Sequence, residues 1–186
     1  MNYALIRKYD IANGVGVRVS LFVSGCRHHC KGCFNPETWN FSYGTPFTEE
    51  TVQEILDAAD HSYIEGLTLL GGEPFEPENQ AALVTLTKAF RERFPQKSIW
   101  CYTGFSFADD LFPGKVGDPA VTRALLEQLD VLVDGRFVEE LKDPSLLFRG
   151  SANQNILDVK QSLACGAPVP LAGVWQRTMG SGNIYE

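Results

Sequence analysis

Short, fully apolar runs alternate along this chain with longer stretches whose apolar residues return every three or four positions. The first kind reads as buried strands and the second as amphipathic helices. Val17–Val23 is the first such strand. Thr48 is placed to cap a helix, with Thr51 three residues on and Glu49 and Glu50 in the first turn. Val52, Ile55, Leu56 and Ala59 form its apolar stripe, which ends near His61. Gly66–Leu70 predicts a second strand, closed by a sharp turn at Gly71–Gly72. Glu78–Phe94 carries Ala82, Leu83, Leu86, Ala89 and Phe90 on one helical face. Ser98–Thr103 predicts a third strand, Pro119–Leu129 a third helix and Val131–Val133 a buried fourth strand.

Strands alternating with helices at this spacing imply βαβ units and a mainly parallel sheet in an α/β fold. About four or five units fit the length, too few for a closed eight-stranded barrel, so a single-domain, open partial (βα) barrel is expected. Such sheets carry their sites at the C-terminal strand ends. The segment after Val23, Gly71–Glu73, Thr103–Gly104 and Asp134–Gly135 all fall on that rim. The domain is expected over residues 1–163, with residues 164–186, rich in Gly and Pro, forming an irregular C-terminal extension in which Cys165 is a bystander. Between the first strand and the first helix, Asn35–Pro46 holds Trp39, Phe41 and Tyr43, which predicts a loop folded onto the body.

Composition narrows the class. The 186 residues, 44% hydrophobic and 21% charged, suit one soluble globular domain. No run is long enough to span a membrane, and MNYALIRKYD lacks an apolar signal core. A net charge of −7 disfavours nucleic-acid binding. Five cysteines, an odd number with three clustered, predict a reducing compartment and hence the cytoplasm. Between Asp10 and Glu37 there is no acid, whereas Arg18, Arg27, Lys31, His28 and His29 are all present. As a local positive field, this stretch would stabilise thiolates and favour an acidic electron donor; the alternative is chance loop composition.

The chemistry concentrates in GCRHHCKGC, where Cys26, Cys30 and Cys33 are spaced Cys-x3-Cys-x2-Cys just past the first strand. Three soft thiolates suit an iron–sulfur cluster or zinc. A cubane cluster held by three cysteines leaves one iron open to a small molecule. Zinc would need a fourth ligand such as His28 or His29, and Cys30–Cys33 alone has the spacing of a redox pair. One strand later, LLGGEPFEP brings two glycines, which allow close approach to the backbone, and Glu73, whose carboxylate suits an ammonium group. A plain turn with a helix-capping acid is the simpler reading of that segment.

Together, Cys26-x3-Cys30-x2-Cys33 and Gly71–Gly72–Glu73 resemble the radical S-adenosylmethionine (SAM) superfamily. Within it the chain is similar to the activating enzymes of anaerobic (class III) ribonucleotide reductase. DIANGVGVRVSLFVSGC, CKGCFNPETW, LLGGEPFEPEN, IWCYTGF and DVLVDGRFVEELKDPSLLFRGSANQNI carry the resemblance in order, from Asp10 to about Ile156.

The resemblance implies an oxidoreductase with one [4Fe–4S] cluster on Cys26, Cys30 and Cys33, and SAM chelating the open iron. Gly71, Gly72 and Glu73 would hold the methionine ammonium, with Gly32, Cys33 and Phe34 against the adenine. Asp134 and Arg136 resemble an acid and a basic residue that related activases place near SAM. Tyr102 stands where some relatives have a cation-binding acid. One electron would cleave the sulfonium C–S bond, and the 5′-deoxyadenosyl radical would take hydrogen from a glycine of the reductase, so no side chain need be an acid or base. Partners would be the anaerobic reductase and a low-potential donor such as flavodoxin or ferredoxin, with no nucleic acid and no membrane. Arg149–Gly150–Ser151 and Asn153–Gln154 would either recognise the partner's glycyl loop or tie down the C-terminal chain. An activase of the pyruvate formate-lyase type, or a zinc-stabilised binding module, are the alternatives.

Overall fold

The structure is a computed structural model that describes residues 1–173. Among the described residues seven strands form one open sheet in the order β3-β1-β2-β4-β5-β6-β7. They are β1 (Asn2–Asp10), β2 (Val17–Val23), β3 (Thr45–Pro46), β4 (Ile64–Gly71), β5 (Ser98–Tyr102), β6 (Val131–Asp134) and β7 (Asn155–Asp158). Four helices accompany them: α1 (Glu49–Ala59), α2 (Pro77–Arg93), α3 (Pro119–Leu126) and α4 (Val159–Cys165).

The four strands expected from the apolar runs are β2, β4, β5 and β6, and they pair in parallel. Both edges correct the expectation of a mainly parallel sheet. β1 runs antiparallel to β2 and β3, and β7 runs antiparallel to β6. No α-helix separates β1 from β2 or β6 from β7, and antiparallel pairing needs no helical crossover. At the other end, Ala164 and Cys165 close α4 instead of starting an irregular tail. Beyond it the chain returns along β7, with Asp158 N–H donating to Val169 O (2.9 Å) and Leu171 N–H to Ile156 O (2.8 Å). The rest of the expected extension, residues 174–186, lies outside the described residues.

Local chemistry explains the helix starts. Thr48 N–H donates to Thr51 Oγ1 (3.2 Å) ahead of α1. Asp118 accepts from Ala120 N–H (2.8 Å) ahead of α3, and Pro77 and Pro119 sit in first turns where no amide partner is lost. The four parallel strands are mostly buried on both faces, and alternation sorts their side chains. Leu21, Leu67, Leu69, Ile99, Cys101, Leu132 and Leu157 pack under Ile55, Leu56, Leu83, Leu86, Phe90 and Leu125 of the helices. Trp100, Val131, Val133 and Ile156 form a second cluster with Tyr102 and Phe148 on the opposite face.

At the N-terminal end of the parallel strands Arg18 is buried, with 1% exposure. Its guanidinium donates to Thr68 Oγ1 (2.7 Å), Ser98 Oγ (2.9 Å), and the carbonyls of Val15 (3.2 Å), Leu67 (2.9 Å) and Ser98 (2.9 Å). All these acceptors are neutral, and burial pulls the group down to about 10. The Trp100 ring lies 5.5 Å from it. Arg18 therefore anchors the far end of the sheet and adds nothing to a field at the cysteines.

Candidate functional site

Gly25, with φ +96, turns the chain out of β2 into the cysteine loop, and its Cα faces the Phe41 ring so closely that no side chain fits. The loop is sewn to the segment behind it. Gly25 N–H donates to Thr38 O (2.7 Å) and Cys26 N–H to Trp39 O (3.3 Å), from a 3-10 turn at Pro36–Trp39. This is how the aromatic loop folds down, as its composition suggested. Cys33 N–H donates to Cys30 O (3.1 Å), closing a turn through Gly32 (φ +71). Across the gap, Gly72 N–H donates to Val23 O (2.8 Å) and Glu73 N–H to Gly25 O (2.8 Å), so the ends of β2 and β4 lie side by side.

These strand ends enclose a cavity of about 350 Å³, within the size range of small-molecule sites. Cys26, Cys30 and Cys33 line it together with Gly32, Phe34, Gly71, Gly72 and Glu73. All five cysteines of the chain are free thiols, and Cys101 and Cys165 stand elsewhere, in the core and at the end of α4. Burial pushes the Cys26 thiol up to about 12, so metal loading there displaces a proton. Among the described residues no three His, Cys, Asp or Glu side chains converge on a point that would hold a single ion. The thiols are spread along the loop on one cavity wall. Trp39, which also lines the cavity, keeps its Nε1 buried with no hydrogen-bond partner among the described residues. Soft donors near an unspent N–H donor fit a sulfur-bridged cluster with a polar ligand next to it.

The remaining expected residues take other places. Glu73 is 1% exposed, and both its oxygens are engaged by the chain itself. Oε1 accepts from Phe75 N–H (2.9 Å) and Thr103 Oγ1 (2.8 Å), while Oε2 accepts from Gly104 N–H (2.7 Å) and meets His28 Nε2 at 3.0 Å. Phe34 is 90% exposed at the cavity mouth. Asp134 turns away: it accepts from Phe107 N–H (2.7 Å) and Asn155 Nδ2 (2.9 Å), and burial raises its pKa. Gly135 beside it lines the cavity. Arg136 donates to the His28 carbonyl and so grips the cysteine loop. Tyr102 ends β5 with its phenol held neutral by burial.

The acid-free stretch is not a free cationic patch. Arg27 pairs with Glu76 and Glu78, both at 2.5 Å, and stacks 4.3 Å above Phe41. Lys31 pairs with Glu139 (3.1 Å) and Glu140 (3.2 Å). The polar run after Arg149 forms a knot within the fold. Gln154 accepts from Gly150 N–H (2.9 Å) and Ser151 N–H (3.1 Å) and donates to Gly135 O (2.9 Å). Thr103 and His28, a rim residue and a candidate zinc ligand in the sequence, also line the cavity, as do Phe137 and Lys142, which nothing in their local sequence marks.

Comparison with known proteins decides the family. A family described as a 4Fe-4S single cluster domain matches residues 12–157. An anaerobic ribonucleoside-triphosphate reductase-activating protein of Pasteurella multocida is 42% identical over 158 residues, covering 84% of this chain and 96% of that protein. The chain belongs to this family of activating proteins. Relatives of the same description in Escherichia coli K12 and enterobacteria phage T4 are each 41% identical, covering 96% and 93% of their own lengths. The residues matched by the family, 12–157, contain all four parallel strands, the cysteine loop and the knot around Gln154.

Proposed function

We propose that this chain is a radical SAM activase that installs a glycyl radical on an anaerobic ribonucleoside-triphosphate reductase. The observation that carries the reading is the cavity at the parallel strand ends, where Cys26, Cys30 and Cys33 face Gly71–Gly72. On this reading the open sheet serves as the partial barrel of that superfamily, and the three thiolates would hold one [4Fe–4S] cluster. Bound there, the cluster and SAM supply one-electron cleavage of the sulfonium C–S bond and hydrogen abstraction from a glycine.

The protein's own work is to position and enclose. Gly71 (φ +110) and Gly72 keep the end of β4 bare, so this main chain would hold the methionine end of SAM. Gly32 and Cys33 would hold its nucleoside. Phe34, exposed at the mouth, contacts either the adenine or the reductase chain entering above it. Asp134 and Arg136 act through the frame: one fixes the Phe107 amide, the other the His28 carbonyl. Burial of Cys26 and the apolar wall of Leu70 and Phe137 keep water from the reacting atoms. The electron comes from a low-potential protein such as flavodoxin or ferredoxin, and the free thiols suit the reducing cytoplasm. No helix of the described residues is long and apolar enough to cross a membrane.

The test is anaerobic mixing of the cluster-loaded protein with the reductase, SAM and a reductant, read by electron paramagnetic resonance. A glycyl-radical doublet dependent on all components is expected. Full SAM cleavage without that doublet would move the substrate to another protein.

A further inference from the structure

His28 lies between two of the cysteines, yet its side chain reaches across the cavity to the other strand ends. Its Nε2 is 3.0 Å from Glu73 Oε2, and its ring meets Phe105 edge-on at 4.5 Å. It covers Gly104 so closely that a Cβ there would come within 2.5 Å of His28 Cδ2. The side chain is only 15% exposed. Its carbonyl is gripped by Arg136, two residues past the end of β6.

Glu73 is the other half. A carboxylate offers about four lone-pair positions, and here four donors take them. Two donors are main-chain amides, which cannot leave without moving a strand end, and one is the buried Thr103 hydroxyl, whose oxygen is fixed by Phe105 N–H (3.1 Å). An incoming ammonium would have to displace one of them or His28. We infer that Glu73 and His28 act as one positioning pair: Glu73 is a buried post to which His28 moors the cysteine loop. The pair sets where Cys26 and Cys30 stand relative to the ends of β4 and β5, and Glu73 works on the ligand through that geometry, not by contact. This rests on the cluster reading above for its purpose, but not for its test.

The test uses the full chain without metal first. His28→Phe keeps a flat ring against Phe105 and deletes the donor, while His28→Gln keeps a donor. Amide hydrogen exchange over the cysteine loop should accelerate roughly tenfold in His28→Phe and be largely restored in His28→Gln. Glu73→Gln puts an amide NH₂ among donors, so it should give the same acceleration, and the double variant should be no worse than either single one. After anaerobic reconstitution, His28→Phe and Glu73→Gln should lose iron faster on gel filtration, with SAM affinity per remaining cluster close to that of the parent. The inference is overturned if loop exchange is unchanged in His28→Phe, or if Glu73→Gln weakens SAM binding tenfold while exchange and iron stay normal. Failure of the cluster reading would appear separately, as absent iron in the parent protein.

Discussion

Replacing Gly72 with alanine presses on the closest approach in the site. A Cβ there would stand 2.6 Å from Gly25 O and 3.0 Å from Thr38 O. An ordinary carbon–oxygen contact is about 3.3 Å, so the ends of β2 and β4 would have to part by roughly 0.7 Å. Both obstacles are main chain, and neither can rotate away. They are held by Glu73 N–H to Gly25 O (2.8 Å), Gly25 N–H to Thr38 O (2.7 Å) and Gly72 N–H to Val23 O (2.8 Å). Overpacking of this kind costs about 1–3 kcal/mol, and weakening one of the bonds adds about 0.5–1.5 kcal/mol. The lower chain entropy of unfolded alanine returns about 0.4–1 kcal/mol. The net loss is roughly 0.5–4 kcal/mol, centred near 2, which at the centre is about 4–8 °C in a chain of this size. Melting of the metal-free protein by circular dichroism measures it, and iron and sulfide per chain after reconstitution measure the effect on the cysteine loop, which should be a clear deficit. A variant that melts within about a degree of the parent and loads full iron would refute the argument that this contact sets the loop's position.

Two further outcomes are expected. Cys26→Ala, Cys30→Ala and Cys33→Ala should each lose iron and SAM cleavage, because two thiolates do not hold a cubane, while Cys101→Ala and Cys165→Ala keep both; iron analysis with product chromatography checks this, and iron retained in Cys26→Ala would break the ligand assignment. Arg18→Lys should destabilise the metal-free chain by about 2–4 kcal/mol in urea, at least as much as Arg18→Met, since three ammonium donors cannot serve five acceptors and the charge stays buried; a milder effect in the lysine variant would contradict the donor count.

The parallel strands and the three longer helices were legible because each carries an apolar run or stripe that its environment simply obeys. β1 was not, since NYALIRKYD mixes charges into a half-exposed hairpin strand with no clear alternation. β7 and α4 are short, and their register comes from pairing with β6 and with the chain near Val169. At the site, the cysteine triplet and the glycine turn announce themselves by local spacing. What spacing cannot show is which partner a polar group finds. Glu73 reads as a ligand-facing acid until His28, 45 residues earlier, and Thr103, 30 residues later, are seen to fill it. Arg27 and Lys31 read as a positive field until acids from α2 and from Glu139–Glu140 are seen to meet them. Both cases have one cause: tertiary pairing of charges is invisible in a one-dimensional pattern.

Arg18 has a bearing on how the sheet assembles. Parallel strands have no tight hairpin to fix their alignment, and a slip by one residue turns every side chain to the other face. The guanidinium draws on Val15, Leu67, Thr68 and Ser98 at once, the last of them 80 residues away along the chain. Only one mutual alignment of β2, β4 and β5 supplies all five acceptors. Any other leaves a cation in an apolar layer with donors unmet, a far heavier penalty than a misplaced leucine would bring. Arg18 thus proofreads strand alignment at one end of the sheet, and the opposite end is left to carry loops shaped for chemistry.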